Sequence, residues 1–398
     1  MGHVALFARA LSGGGGVERV LVHLAGALAA RGHQVDLVLA RTKGHFLSEL
    51  PATVNLVELN APPALLAIPS LVRAPRTLAA LLPTMMLPGV AQVLGAIPAL
   101  IRYIDKARPD TVLAALDYAN ITAIVARHLA HVPVRTVASV HNHMSSAAAN
   151  AERPHLRRVI SLAARFYSDA DAVICVSAGV ADDLEQTLEL PRPLLKTIYN
   201  PVVTDEIAEL AAVPSPHPWL DRDNVPVILG VGKLRRQKDF ANLIQAFAQV
   251  RRAQVAKLII LGEGPERSSL ESLAQDLGVA DDIDFKGFVE NPYPYMSRAA
   301  VFALSSAWEG FGNVLVEAMA CGCPVVSTAC PSGPAEILAD GEFGELVPVA
   351  DPPALAGAIL RQLRSPRGIT EARHRALEFT SQASAIAYEK ILFPPQQK

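Results

Sequence analysis

Between Ala299 and Ala335 the chain carries only two charged side chains, Glu309 and Glu317, eight positions apart around a glycine turn in "SSAWEGFGNVLVEAMACGCPVV". The flanking "AVFALSS" reads as a strand and "VLVEAMAC" as a helix, with Asn313 as N-cap and Gly322 just past the C-terminus. The loop 307–312 therefore leaves a strand's carboxyl end and enters a helix start, where free amides favour phosphate or other polar oxygens. Gly310 and Gly312 permit close backbone approach there. Taken alone, the two carboxylates read more readily as a loop charge and a solvated helix residue than as ligand groups facing one site.

A second strand-turn-helix, "GVGKLRRQKDFANLIQAF", clusters Lys233, Arg235, Arg236 and Lys238 in its loop. It is either a solvated surface turn or one side of an anion site. A diphosphate between it and the amides of residues 312–314 would account for both loops. "LGEGPER" and "STACPSGPAEIL" supply further glycine turns after apolar runs, and "SVHNHM" ends a strand at His141, a position as well suited to a structural histidine as to a functional one.

Those loops require strands to hold them. The first forty residues form a β-loop-α-β unit: strand Val4 to Arg9, glycines Gly13 to Gly16, a helix marked by Val17, Val20, Leu21, Leu24 and Leu28, and Gly32 closing it before "HQVDLVLA". "DTVLAAL", "VRTVASV" and "DAVICVS" continue the alternation, "TIYNPVVTDEI" interrupts it, and beyond Pro214 to Pro218 it restarts with "PVILGVGKL", "KLIILGEGP", "DIDFKGF", "AVFALSS" and "CPVVST". This is the pattern of parallel sheets covered on both faces. A length of 398 residues suits two domains. The expected architecture is α/β, with two Rossmann-like doubly wound domains facing a central cleft and a hinge near residue 201.

Lys plus Arg (36) nearly balances Asp plus Glu (38), so a nucleic-acid partner is not expected. Cys175, Cys321, Cys323 and Cys330 form no C-x-x-C pair and sit in apolar company, which favours buried reduced thiols and a cytoplasmic setting over a metal site or disulfides. The apolar start runs straight into a glycine loop, and no secretion signal is expected. Residues 59 to 104 stand apart: 46 residues with seven prolines, no acid, and Arg73, Arg76 and Arg102 as their charges. Pro83, Pro88 and Pro98 argue against a spanning helix. Two readings remain, a broken amphipathic hairpin on an anionic membrane interface and helices packed on the sheet with a loop.

With these residues in place, the chain resembles the retaining glycosyltransferase family 4 of GT-B fold, the glycosyl transferases group 1. The resemblance rests on "GGVERVLVHLAGALAARGHQV", "VGKLRRQKDFANLIQAF", "LGEGPERSSLESLA", "KGFVENPYPYMSRAAVFALSSAWEGFGNVLVEAMACGCPVVSTACPSGPAEIL" and "GELVPVADPPALAGAI", in family order over nearly the whole chain. It implies an acceptor-side domain at 1–200, a nucleotide-sugar domain at 201–375, and a helix at 376–398 that returns to the first domain. It implies that Glu317 binds the nucleotide ribose, that Glu309 with Gly310, Phe311, Gly312, Asn313 and Val314 holds the donor sugar and phosphates, and that Lys238 binds the diphosphate. Lys233 stands where the family usually has arginine, so the bidentate fork is lost and Arg235 or Arg236 would compensate. Gly15 and Gly16 match the glycine loop whose amides approach the donor diphosphate and the acceptor when the cleft closes, and His141 matches a histidine near the donor sugar.

The implied activity is transfer of a hexosyl or N-acetylhexosaminyl unit, with retention, from a UDP-sugar to a glycan or lipid-linked acceptor in surface-glycan synthesis. No cofactor and no divalent metal are expected, and the implied location is cytoplasmic, peripheral on the inner membrane face. The alternatives are a non-catalytic sugar-nucleotide binder and, less favoured, a retaining glycosidase with Glu309 and Glu317 as its pair, which would leave the cationic loop unexplained. A dinucleotide oxidoreductase fails because Gly13 to Gly16 lacks the G-x-G-x-x-G spacing.

Overall fold

Runs such as Val4, Ala5, Leu6 and Phe7, all with no exposed surface, can persist without polar alternation only where both faces of a strand are covered. In this computed structural model, which describes residues 1–11, 15–87, 90–151, 154–214, 217–221 and 225–395, such runs build two wholly parallel sheets. Gly13, Gly14, Pro88 and positions 215 and 216 of the proline-rich stretch lie outside the described residues.

The chain divides into two units, Met1–Pro201 with Ser381–Lys398, and Val202–Thr380. The first holds seven strands: β1 (His3–Ala8), β2 (Gln34–Leu39), β3 (Asn55–Glu58), β4 (Thr111–Ala115), β5 (Arg135–Val140), β6 (Ala172–Cys175) and β7 (Leu195–Thr197), in the order 3-2-1-4-5-6-7. The second holds β8 (Val227–Val231), β9 (Lys257–Leu261), β10 (Ile283–Gly287), β11 (Val301–Leu304), β12 (Val325–Thr328) and β13 (Glu345–Val347), in the order 10-9-8-11-12-13. Each order reverses once, between β1 and β4 and between β8 and β11. In doubly wound sheets the crevice beyond the strand ends at that reversal is where ligands bind.

The first helix runs Gly16–Ala30 and ends as its sequence requires, with Gly32 at φ +86° and the His33 amide donating back to the Leu28 carbonyl at 3.2 Å. Its core face packs with the last helix, Ser381–Leu392, whose Tyr388 and Leu392 are buried in the same cluster as β1, β2 and β4. That last helix is also fixed by polar contacts. Arg31 donates to Glu389 at 2.5 and 2.8 Å, and Arg135 donates to the Ile391 carbonyl at 3.0 Å.

Residues 59 to 104 form short pieces rather than one hairpin. Ile68–Leu71, Pro75–Leu81 and Val90–Leu94 are followed by a longer helix, Ile97–Ala107. Pro98 does not interrupt that helix but sits in its first turn, where its missing N–H costs nothing. Leu100 and Ile104 pack against β1 and β4, whereas Leu65, Leu66, Val72, Leu82 and Met86 are exposed. No helix among the described residues is long and apolar enough to cross a membrane.

Candidate functional site

The loops after β8 and β11 meet at the second unit's reversal point. The turn after β8 is tight: the Gly232 amide donates to the Leu261 carbonyl, Leu234 to Glu263, and Lys238 to Arg235, at 2.9, 3.0 and 2.9 Å. Glycine is required at two neighbouring places, because a Cβ on Gly262 would stand 1.9 Å from the Gly232 carbonyl oxygen and one on Gly264 would stand 2.3 Å from that of Leu234. The "LGEG" motif thus lets β9's exit loop press against the cationic turn. Within the turn Lys233 is half-buried, Arg235 and Arg236 are exposed, and the Lys238 stem lies along Gly232.

Lys238 joins the two loops chemically. Its Nζ donates to Glu309 Oε1 at 2.5 Å, and the same oxygen accepts from Ser306 Oγ at 2.6 Å. Around this pair Ala307 N donates to the Gln237 carbonyl at 2.8 Å, Gln237 Nε2 to the Trp308 carbonyl at 3.1 Å, and Ser305 Oγ to the Lys238 carbonyl at 2.8 Å. Glu309 is 5% exposed and Glu317 6%, so the reading of these carboxylates as solvated charges is overturned. A buried carboxylate is costly unless paired, and at Glu309 the lysine and serine supply the pairing.

The helix start differs in one detail from the sequence expectation. Asn313 is the first helical residue, and the N-cap is Gly312 in the left-handed region at φ 100°. Beside it the chain passes so close to Gly333 that a Cβ there would lie 1.9 Å from the Phe311 carbonyl oxygen. Phe311 is buried edge-on against Phe379, with ring centroids 5.4 Å apart, and Gly310 and Gly312 are buried beside it. Asn313 and Val314 are half-buried at the start of the eight-residue helix Asn313–Ala320, which carries Glu317.

Lys238, Ser306 and Glu309 are therefore one hydrogen-bonded cluster, followed directly in the chain by the 310–314 segment and the helix that carries Glu317. Gly15, Gly16 and His141 belong to the first unit. Gly15 is the extended N-cap of the Gly16–Ala30 helix, and His141 follows β5. His141 Nε2 hydrogen-bonds Ser139 Oγ at 2.9 Å, its Nδ1 is buried with no partner among the described residues, and burial pushes its pKa down to about 4.

Sequence reasoning missed Ser306, which shares Glu309 with the lysine, and Asp117, which opens the helix Asp117–Leu129 directly after β4. The position of Asp117 just past an apolar strand is the signal that singled out Glu309, and it was available. Burial pushes Cys321 and Cys330 up to about 12 and Cys323 higher still, the state of inert packed thiols. Among the described residues no group of three or more His, Cys, Asp or Glu side chains is placed to hold a metal ion.

Comparisons with known proteins converge on one family. The profile described as "Glycosyltransferase Family 4" matches residues 14–206, and that described as "Glycosyl transferases group 1" matches residues 216–382. The chain is 32% identical over 225 residues to the N-acetylgalactosamine-N,N'-diacetylbacillosaminyl-diphospho-undecaprenol 4-alpha-N-acetylgalactosaminyltransferase of Campylobacter jejuni, covering 56% of this chain and 58% of that one. It is 31% identical over 237 residues to the lipopolysaccharide core biosynthesis glycosyltransferase LpsE of Rhizobium meliloti, covering 57% and 65%. The chain thus spans less than two thirds of these curated relatives. The solved structure of Anabaena HepE in complex with UDP and glucose aligns over 99% of this chain and 100% of that one, with a TM-score of 0.74 at 21% identity. That likeness gives the fold: the two parallel-sheet units have GT-B architecture.

Proposed function

The chain belongs to glycosyltransferase family 4, the group 1 glycosyl transferases, and from that premise we propose that it transfers a hexosyl or N-acetylhexosaminyl unit from a nucleoside-diphosphate sugar to a glycan or lipid-linked glycan. The observation that carries the proposal is the Lys238–Glu309 pair at the second unit's reversal point, joined to a helix start that carries the buried Glu317. The donor is proposed to be a UDP-sugar, in keeping with the UDP and glucose bound by HepE. A lipid-linked acceptor is in keeping with the undecaprenol-linked substrate named for the Campylobacter enzyme.

In this reading Glu317 accepts both ribose hydroxyl hydrogens, because a carboxylate can take two charge-assisted bonds from a vicinal diol. The amides of residues 310–314 hold the donor sugar and phosphate oxygens at the helix start. Lys238, with Lys233 and Arg235 in the same turn, stabilises the charge that grows on the diphosphate as the anomeric C–O bond breaks. Glu309 holds Lys238 in place and accepts from a sugar hydroxyl. The acceptor hydroxyl attacks from the face the diphosphate leaves, giving retention, and its proton passes to the departing phosphate oxygen. We assign this charge neutralisation to the side chains and amides rather than to a divalent metal, and His141, Gly15 and Gly16 to substrate contact.

A thermal-shift and turnover panel across UDP-, GDP- and ADP-sugars, run with and without EDTA, tests the proposal. The expected result is stabilisation by UDP-sugars and EDTA-resistant transfer. Nucleotide binding without turnover on any acceptor would make the chain a sugar-nucleotide binder instead.

We further propose peripheral contact of the first unit with an anionic membrane, on its cytoplasmic face. Exposed Leu65, Leu66, Val72, Leu82 and Met86 share their segment with exposed Arg73 and Arg76. Two more arginines are brought to it: Arg165 donates to the Arg76 carbonyl at 3.2 Å and Arg158 to that of Pro83 at 3.4 Å. Apolar side chains set among cations match an interfacial surface. Wild-type protein should float with anionic vesicles and an Arg73→Ala, Arg76→Ala, Arg102→Ala variant should float less. Equal failure of both to float would return the segment to ordinary packing.

A further inference from the structure

Ser139 lies in β5 and His141 one residue beyond its end, so the alternation of an extended chain puts both side chains on one face. Ser139 Oγ accordingly meets the ring at Nε2, 2.9 Å away. The serine is itself fixed by Asn120, a residue with no exposed surface on the helix Asp117–Leu129, which engages both of its backbone groups. Asn120 Nδ2 donates to the Ser139 carbonyl at 3.0 Å, and the Ser139 amide donates to Asn120 Oδ1 at 3.3 Å. The same Nδ2 donates to the Tyr167 hydroxyl at 3.1 Å, which anchors the amide at a second point.

Ser139 has a second hydroxyl neighbour. It is the side-chain hydrogen-bond partner of Tyr388 on the last helix, and both residues are buried. Each hydroxyl has one proton to place, and the imidazole, kept neutral by its burial, has one N–H and one lone pair. If Ser139 donated to Tyr388, the phenol proton would have no acceptor among the described residues, at the full desolvation cost of that group. Only the opposite order gives both hydroxyl protons an acceptor: Tyr388 donates to Ser139 Oγ, and Ser139 donates to His141 Nε2. The ring proton then stands on Nδ1, which is buried with no partner among the described residues.

We propose that Ser139 is a positioning residue: held by Asn120 and Tyr388, it fixes His141 as the Nδ1–H tautomer, so that the ring offers substrate a hydrogen-bond donor. Which nitrogen of a histidine carries the proton is set by the bond that the other makes, and a buried N–H unmet within the chain points to a ligand oxygen that accepts. A sugar hydroxyl or an acetamido carbonyl has that chemistry. Substrate contact by His141 rests on the function proposed above; the tautomer and its cause do not.

Long-range proton–nitrogen NMR on the full chain, with the ring assigned by comparison with His141→Gln, reads the tautomer directly. At neutral pH the wild type should show a protonated Nδ1 and a bare Nε2. Ser139→Ala should turn this into a mixture or into the Nε2–H form, whereas Ser139→Thr, which keeps the hydroxyl, should preserve it. A protonated Nε2 in the wild type, or an unchanged pattern in Ser139→Ala, overturns the proposal. Should Ser139→Ala fail to fold, Tyr388→Phe decides alone: a mixed pattern supports the proposal and an unchanged one overturns it. UDP release from UDP-glucose or UDP-N-acetylglucosamine should fall about tenfold in Ser139→Ala, the scale of one neutral hydrogen bond, with UDP affinity kept. In a His141→Gln background the serine substitution should add nothing, because it acts through the ring. A full additional loss there would make Ser139 merely structural and overturn the positioning role. A switched tautomer with turnover unchanged in both single variants would count against substrate contact by His141 and leave the tautomer assignment standing.

Discussion

Both sheets reverse direction once, and at each reversal a carboxylate follows the fourth strand of its pattern, Glu309 after β11 and Asp117 after β4. Their surroundings are opposite. Glu309 accepts from both Lys238 and Ser306 within a web of loop hydrogen bonds. Asp117 has no cation partner among the described residues, and burial pushes its pKa up to about 6 despite its place at a helix start. One topology thus carries one carboxylate held in an ion pair and another that is desolvated without an ion pair among the described residues.

Removing the charge at the second unit should have the largest effect. Lys238→Ala is expected to lower turnover by about 10²–10³-fold, as for loss of one preorganised group facing transition-state charge. A loop lysine would ordinarily add little to folding, but this one neutralises a carboxylate 5% exposed. Stability should therefore fall too, by about 2 kcal/mol, less than the roughly 3–5 kcal/mol of a fully buried broken pair. Adding Glu309→Gln should recover stability without turnover. Denaturant melts and steady-state kinetics on the single and double variants would separate the two roles.

Glu317→Ala comes next. If its carboxylate holds the ribose diol, nucleotide affinity should weaken by about 1.5–3 kcal/mol, the scale of hydrogen bonds to a charged group. Calorimetry showing unchanged UDP affinity would remove Glu317 from the site, and the comparison would then rest on Glu309 alone.

The contrast between the two sites was only half legible in the sequence. Fully buried parallel strands read as apolar runs, so the interior strands of both sheets could be placed; β3, β7 and β13, with three or four residues each, could not. β3 also sits at a sheet edge, where mostly exposed side chains remove the apolar signal. The cationic turn and the glycine loop announced themselves by composition. Their pairing did not, because Lys238 and Glu309 are 71 positions apart and meet only through the order of the strands. The close approach of Gly333 to Phe311, just before the Gly312 cap, is likewise a contact that spacing along the chain does not encode. At Asp117 the strand-end position was legible but its setting was not: what distinguishes the residue is a missing ion-pair partner, and a sequence does not display missing partners.

At Asp117 the expected effect is smaller and depends on pH. Its pKa is near 6 in the folded chain and about 3.9 when unfolded, so the folded state binds the extra proton between these values and stability falls as pH rises through that window. Since the side chain keeps some solvent contact, the cost at neutral pH should be about 1–2 kcal/mol rather than the full shift. Asp117→Asn should accordingly stabilise the protein at pH 7.5 and leave it unchanged near pH 4. Equal melting shifts at both values would mean that the carboxyl is solvated and that the two sites do not differ as described.

The smallest effect is expected at His141, another titratable group at the first unit's strand ends. An imidazole that gained a carboxylate partner would have a raised pKa and would charge in the physiological range; this one has only Ser139 Oγ at 2.9 Å, and burial holds its pKa near 4. The sign follows directly: the neutral ring is favoured in the folded state, protonation is opposed until the pH approaches 4, and the unfolded chain takes up the proton first as acid is added. His141 should therefore stay neutral from pH 5.5 to 8.5, able to donate or accept one hydrogen bond to a sugar hydroxyl but not to serve as a cationic acid. Its ring resonances, assigned by comparison with His141→Gln, should not move across that range. A titration midpoint near 6.5 would show that a carboxylate or water reaches the ring, and the first unit's strand ends would then have to be counted as a charged site like the second's.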